Sequence, residues 1–206
     1  MKLSKEQKKA AENLGKWRQK FKSRNDMHEI LPGLYLGSYS AAINRRSLEA
    51  ANISAVLSIM TTSVKKEKQI KYKQIHLEDD PSSDLSKHFE ECINFIHFYR
   101  VANRNVLVHC LMGVSRSATI VIAYIMAITK LDPFDVIGFV TSRRDFINPN
   151  EGFLEQLKIY KAKCNETHKE LQITHERVKD DHFQLVERDL KVVNEWLAVA
   201  KDGNLA

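Results

Sequence analysis

The chain has few cysteines and no long hydrophobic run, and each shortage excludes a class of protein. There are three cysteines in 206 residues, Cys92, Cys110 and Cys164, widely spaced and without a CxxC pair. That pattern supports neither a disulfide framework nor a cysteine-rich zinc site, and it predicts a reducing compartment, cytoplasm or nucleus. The longest apolar run, Ala118 to Thr129, spans 12 residues. A membrane-spanning helix needs about 20, so no membrane span is expected and this run predicts a core helix. The lysine-rich start has no apolar stretch behind it and residue 2 is Lys2, so neither a secretory leader nor N-myristoylation is expected. The histidines lack metal-ligand spacing, and no zinc finger, RRM signature or interleaved basic and aromatic pattern is present. Nucleic acid is therefore not an expected partner.

What the chain does have is 43% hydrophobic residues and a net charge of +6 that is unevenly placed. Residues 1–24 carry nine basic and two acidic residues, residues 25–164 seventeen and fifteen, and residues 165–206 six and nine. The composition predicts a basic helical extension over 1–24, a nearly neutral domain over 25–164 and an acidic helical extension over 165–206. In the first, Leu3, Ala10, Leu14, Trp17 and Phe21 make a helical stripe interrupted by Gln7. In the last, Leu171, Val178, Leu185, Leu190, Val193 and Leu197 make an imperfect one over 165–200. The chain is expected to be a monomer or a homodimer through these terminal helices.

Between them, apolar runs alternate with helical periodicities. Strands are predicted over Leu34–Leu36, 53–60, 72–77 and Val106–Val108. Helices are predicted over 40–51, 85–102, from the end of the 109–115 loop, from Pro133 to about Arg144 with Asp132 as N-cap, and from the 147–153 loop to about Lys163. Such alternation implies an α/β sandwich around a mostly parallel sheet.

The chemistry concentrates in "VLVHCLMGVSRSATIVIAYIM" (106–126). A buried strand carries a loop to the carboxyl edge of the sheet, where open α/β sheets bind ligands. A helix then starts near Arg116, and its first amides and dipole favour an anion. Gly113 lets the loop turn its amides inward, so Leu111, Met112, Gly113, Val114, Ser115 and Arg116 form a phosphate cradle. Cys110 lies at its base, in a field that stabilises a thiolate nucleophile. The planar fork of Arg116 binds two phosphate oxygens. Ser117 is placed to donate a hydrogen bond to the sulfur, and His109 to orient the loop and support the thiolate. A leaving alkoxide or phenoxide needs a proton from a loop able to approach the cradle. "LEDDPSSDL" supplies three candidates: Asp79, Asp80 and Asp84. Asp84 also reads as a cap for the helix that follows. An ionised thiol and a protonated acid together predict a bell-shaped rate profile peaking on the acid side of neutrality.

His-Cys-x5-Arg with its internal Gly and following Ser resembles the protein tyrosine phosphatase superfamily. "LPGLYLGSYSAA", "AVLSI", "EDDPSSDL", "HFEECINFIHFYR" and "INPNEGFLEQL" extend the resemblance to the small atypical dual-specificity phosphatases over about residues 28–162. The resemblance implies a protein tyrosine phosphatase-like fold with extra terminal helices, a shallow cleft and a phosphorylated protein substrate carrying phosphotyrosine or phosphoserine/threonine. It implies no cofactor and no metal. Through an Asp-x-Pro pattern it puts the general acid at Asp79, with Asp80 adjacent, and it gives Asn150 a supporting role beside the phosphate loop. Two rival readings are a phosphatase of phosphoinositide, glucan or RNA 5′-phosphate, and an inactive phosphate-binding scaffold. Leu111, Met112, Val114 and Ser115 are uncharged, which favours a phosphoprotein over a multiply phosphorylated lipid. Cys92 and Cys164 read as packed cysteines, with a resolving thiol for an oxidised Cys110 as the alternative reading.

Overall fold

The computed structural model describes residues 26–174 and 179–201. The helix expected over 3–22 lies outside them. Five strands form one sheet: β1 (His28–Leu31), β2 (Leu34–Gly37), β3 (Ile53–Ile59), β4 (Lys71–Ile75) and β5 (Asn105–His109). Their order is β1-β2-β5-β3-β4. All neighbours are parallel except β1 and β2, a hairpin turned at Pro32-Gly33, where Gly33 adopts φ +79°. The sequence predicts only β2 of that hairpin.

The pleat divides the core. Leu36, Leu57, Ile59, Val106 and Val108 face one layer of helices, whereas Val56 and Leu107 face a smaller cluster with Ala42, Leu48 and Ile53. On the smaller side lie α1 (Tyr39–Ala42) and α2 (Arg45–Ala50). One helix over 40–51 is expected there. Asn44 divides it, because its side chain accepts from the Ser47 amide at 3.2 Å and starts a second helix.

On the larger side are α3 (Phe89–Val101, entered through a 3₁₀ turn at Ser86–His88), α4 (Arg116–Thr129), α5 (Pro133–Arg143) and α6 (Glu151–Tyr160). Every residue of α4 from Arg116 to Ile128 is buried. It is the apolar run that is too short for a membrane, used here as the central rod of the domain. No described helix is long and apolar enough to cross a membrane.

The C-terminal segment departs from the expected acidic extension. Two helices are described, α7 (Cys164–Thr174) and α8 (Lys179–Lys201), where one is predicted. The 164/165 boundary inferred from charge falls one residue inside α7, which begins at Cys164 directly after a 3₁₀ turn at Lys161–Lys163. Leu171, Val193 and Leu197 are buried in the main core as the stripe predicts; Leu185 is buried outside that cluster, Leu190 is half-buried, and Val178 lies outside the described residues. Asp189, beside Leu190 in that stripe, is fully buried and accepts a bidentate pair from Arg100 of α3, Nη1 to Oδ2 at 2.6 Å and Nη2 to Oδ1 at 3.0 Å. Arg100 also donates to the Tyr124 hydroxyl (2.9 Å) and the Pro32 carbonyl (2.8 Å). His97 Nε2 meets His182 Nδ1 at 2.8 Å. Trp196 lies over Gly138 of α5, where an added Cβ would come within 2.9 Å of its ring.

Candidate active site

The centre of the sheet delivers the site. β5 lies between β2 and β3, with His109 in register with Gly37 on one side and Ser58 on the other. His109 is fully buried, and burial lowers its pKa to about 4, so the ring is neutral at physiological pH. Its Nδ1 lies 3.1 Å from the Cys110 carbonyl, which only accepts, so Nδ1 carries the proton. Nε2 then accepts from the Ser58 hydroxyl at 2.7 Å. His109 therefore orients the Cys110 backbone; neither of these bonds reaches the sulfur.

Cys110 lies on the floor of the loop between β5 and α4, about 1% exposed. Its Sγ accepts from the Gly113 amide and from the Ser117 hydroxyl, each at 3.2 Å. Gly113 adopts φ +68°, and a Cβ there would fall 2.4 Å from the Gly37 carbonyl oxygen. Only glycine fits the turn that aims this amide at sulfur. Leu111 and Met112 are 52% and 51% exposed and form an uncharged apolar rim. Arg116 opens α4, buried, with Nη1 on the Leu77 carbonyl (3.1 Å) and Nε 3.5 Å from Asp79 Oδ2.

The three candidate acids separate cleanly. Asp79 faces the cradle: its Oδ1 accepts from the Ser115 hydroxyl (2.6 Å) and from the Asn150 side-chain amide (2.9 Å). Asp80 turns away and accepts from the Ser82 amide at 2.8 Å, and the Ser82 hydroxyl holds its carboxyl below the usual range. The Asp80 carboxylate bonds stay with Ser82, and none reaches the cradle. Asp84 caps the turn that follows, and the Ser86 hydroxyl draws its pKa down to about 2.

Ser115 contributes more than an amide. Its hydroxyl donates to Asp79 and accepts from the Asn150 amide (3.2 Å). Asn150 in turn caps α6 through the Phe153 amide (2.9 Å), so one residue ties the acid, the phosphate loop and a helix together. The acid loop packs on α6 as well. Gln156 bonds the Ser86 amide and the Ser83 carbonyl, and a Cβ on Gly152 would come within 1.9 Å of the Pro81 oxygen.

Arg144 is the functional residue that sequence reasoning misses. It is fully buried beneath the cradle, with Nε on the Gly113 carbonyl (2.9 Å), Nη2 on the Met112 carbonyl (3.3 Å) and Nη1 on the Asp26 carbonyl (2.9 Å). Its guanidinium carbon lies 4.2 Å from the centroid of the Phe146 ring. Burial lowers its pKa to about 10, with the nearby Cys110 sulfur opposing the shift, so it remains a cation at neutral pH. The loop is also pinned through the Tyr39 amide on the Leu111 carbonyl (3.1 Å) and the Asn148 amide on the Val114 carbonyl (2.8 Å).

Cys92 and Cys164 are buried and free, and desolvation raises their pKa values to about 12 and about 11. Neither is a reactive thiol at neutral pH.

A family model described as "Dual specificity phosphatase, catalytic domain" matches residues 34–163. Human dual specificity protein phosphatase 22 is 42% identical over 134 residues, covering 65% of this chain and 73% of the relative. Mouse dual specificity protein phosphatase 15 is 41% identical over 134 residues, covering 65% of this chain and 57% of the relative. Among solved structures, that of DUSP15 superposes with a TM-score of 0.71 at 39% identity, covering 72% of this chain and 96% of the other. That of human tyrosine phosphatase-like serine/threonine/tyrosine-interacting protein superposes with a TM-score of 0.66 at 35% identity, covering 68% and 97%.

Proposed function

Because the chain belongs to the dual-specificity phosphatase family, we propose that it dephosphorylates tyrosine and serine/threonine side chains of proteins through a cysteinyl-phosphate on Cys110. The observation that carries the mechanism is the pair of donors on Sγ, from Gly113 and Ser117, at the N-terminus of α4 and beneath the loop that Asp79 closes.

The substrate phosphate lies against the loop amides and the α4 N-terminus. Arg116 exchanges its Leu77 and Asp79 contacts for two phosphate oxygens. Sγ attacks phosphorus in line, the P–O ester bond breaks, and Asp79 gives its proton to the departing oxygen. Water then attacks the phosphorus and loses a proton to the Asp79 carboxylate. The S–P bond breaks, with the Ser117 hydroxyl bonded to the departing sulfur, and inorganic phosphate leaves. The apolar rim of Leu111 and Met112 suits a peptide better than a polyanionic headgroup.

The test is phosphate release from an aryl phosphate and from phosphotyrosyl and phosphothreonyl peptides. Cys110→Ser is expected to abolish all three activities, and Asp79→Ala to slow peptide turnover while retaining bound phosphoprotein. Appreciable turnover by Cys110→Ser would refute the covalent mechanism. We further place the protein in the cytoplasm or nucleus, which a fluorescent fusion tests and which three free, buried cysteines support.

A further inference from the structure

A concavity also lies away from the cradle. It has a volume of about 950 Å³ and lies between α2, the start of β3 and the 65–70 loop. Ile53 of β3 pairs with Asn105 at the beginning of β5, whereas Ser58 pairs with His109 at its end. Five residues of strand, roughly 16 Å, separate the two levels. The concavity thus lies at the opposite end of the sheet from Cys110.

Its chemistry is two-part. Leu48, Ile53 and Ile70 make an apolar floor, and Ile43 adds an apolar side chain that is 47% exposed. Lys65, Lys66 and Lys68 stand exposed on the rim, and none of them forms an ion pair among the described residues. The other cation there, Arg45, is already paired with Glu49 at 2.7 Å. The three lysines outnumber Glu67, the remaining carboxylate of the lining, and this excess of positive charge around an apolar depression calls for a ligand with carboxylates on either side of an apolar side chain.

The chain's own termini do not meet that description. Residues 1–24 carry the wrong sign. The described acidic helices, α7 and α8, are packed on α3, α4 and α5 on the other side of the sheet. A nucleic acid would be met by aromatic stacking platforms, and no aromatic residue lines the depression. A membrane surface is poorly matched by a concave site.

We propose that this concavity is a docking site for an acidic segment of a partner protein, with an apolar residue seated on Ile53 and Ile70 and flanking carboxylates on Lys65, Lys66 and Lys68. Docking is independent of the catalytic cradle, and so is its test. The probe is a labelled peptide in which glutamates flank a central leucine, titrated by fluorescence anisotropy with inorganic phosphate saturating the cradle. Binding is expected to survive phosphate, to weaken with added salt, to fall severalfold when the leucine becomes serine, and to fall at least about tenfold in K65E/K66E/K68E. Those lysines touch nothing in the catalytic machinery, so the triple variant's turnover of an aryl phosphate reports that it is folded. No binding to the wild type, displacement by phosphate, indifference to the triple reversal or to the leucine, or tighter binding of single-stranded RNA or of anionic vesicles would each overturn the proposal.

Discussion

Arg144 and His109 show how backbone carbonyls organise this site. Three of the Arg144 donors go to main-chain oxygens, two of them in the phosphate loop. A lysine keeps the charge but cannot span Gly113 and Met112 at once. Arg144→Lys is therefore expected to lower kcat on an aryl phosphate by roughly 100-fold, the scale of an ångström-sized misplacement of catalytic groups. Unchanged kcat would show that the loop holds its shape without the fork. His109 makes a different prediction. Its folded pKa of about 4 lies below the ordinary 6.5, so the unfolded chain takes up the proton first as pH falls. The neutral ring's contribution is intact above pH 6.5 and is lost progressively between 6.5 and about 4, on the order of 3 kcal/mol in all. Burial lowers the pKa values of His28 and His168 in the same sense. Urea melts across this range are expected to show stability falling with acid, with a shallower fall in His109→Asn. At this scale the sequence reveals what is local and distinctive in residue type. Cys110, Gly113, Arg116 and Ser117 lie within eight consecutive residues, and a strand and a helix frame them. Asp79 needed the family resemblance to separate it from Asp80. Arg144 stayed hidden because a carbonyl acceptor leaves no mark on residue identity.

At the scale of elements, hydrophobic periodicity located the parallel strands and α3 to α6 because each buries a face that sequence spacing records. It did not locate β1, whose four residues sit within the hairpin, or the break at Asn44, which depends on one side chain choosing the Ser47 amide. In α8 it identified the apolar stripe and missed its most constrained residue, since Asp189 is a charge in a core position. Its partner Arg100 is equally dry. Removing one member of such a pair strands the other, at a cost of roughly 3–5 kcal/mol, whereas replacing both by apolar groups is often neutral. Asp189→Ala is expected to lose that much stability in urea denaturation, and Arg100→Met with Asp189→Leu to regain most of it. A double variant as unstable as the single would mean that the Arg100 bonds to Tyr124 and Pro32, rather than the pair itself, hold the helix.

For the whole molecule, the question is whether the catalytic fold ends where the family resemblance does. The family match stops at residue 163, one residue before α7 begins. Charge composition drew its line one residue later, at 164/165, because both follow sequence character rather than packing. The buried surfaces continue past it. Leu171, Val193 and Leu197 belong to the same core as Phe139 and Tyr124, and Asp189 and His182 supply the polar partners of Arg100 and His97. A chain cut after Lys163 would leave Arg100, His97, Gly138 and Phe139 facing water, with an unpaired arginine and an apolar face where α8 had been. Its expected behaviour is a melting temperature lower by well over 10 °C, from several kcal/mol lost by a domain this size, or recovery only as aggregate. Differential scanning fluorimetry of full-length and truncated chains decides it. Equal melting temperatures would make α7 and α8 a detachable extension after all. A large drop with residual aryl phosphatase activity would show that the cradle is complete without them, and that their contribution is to the stability of the rod, α4, on which the cradle stands.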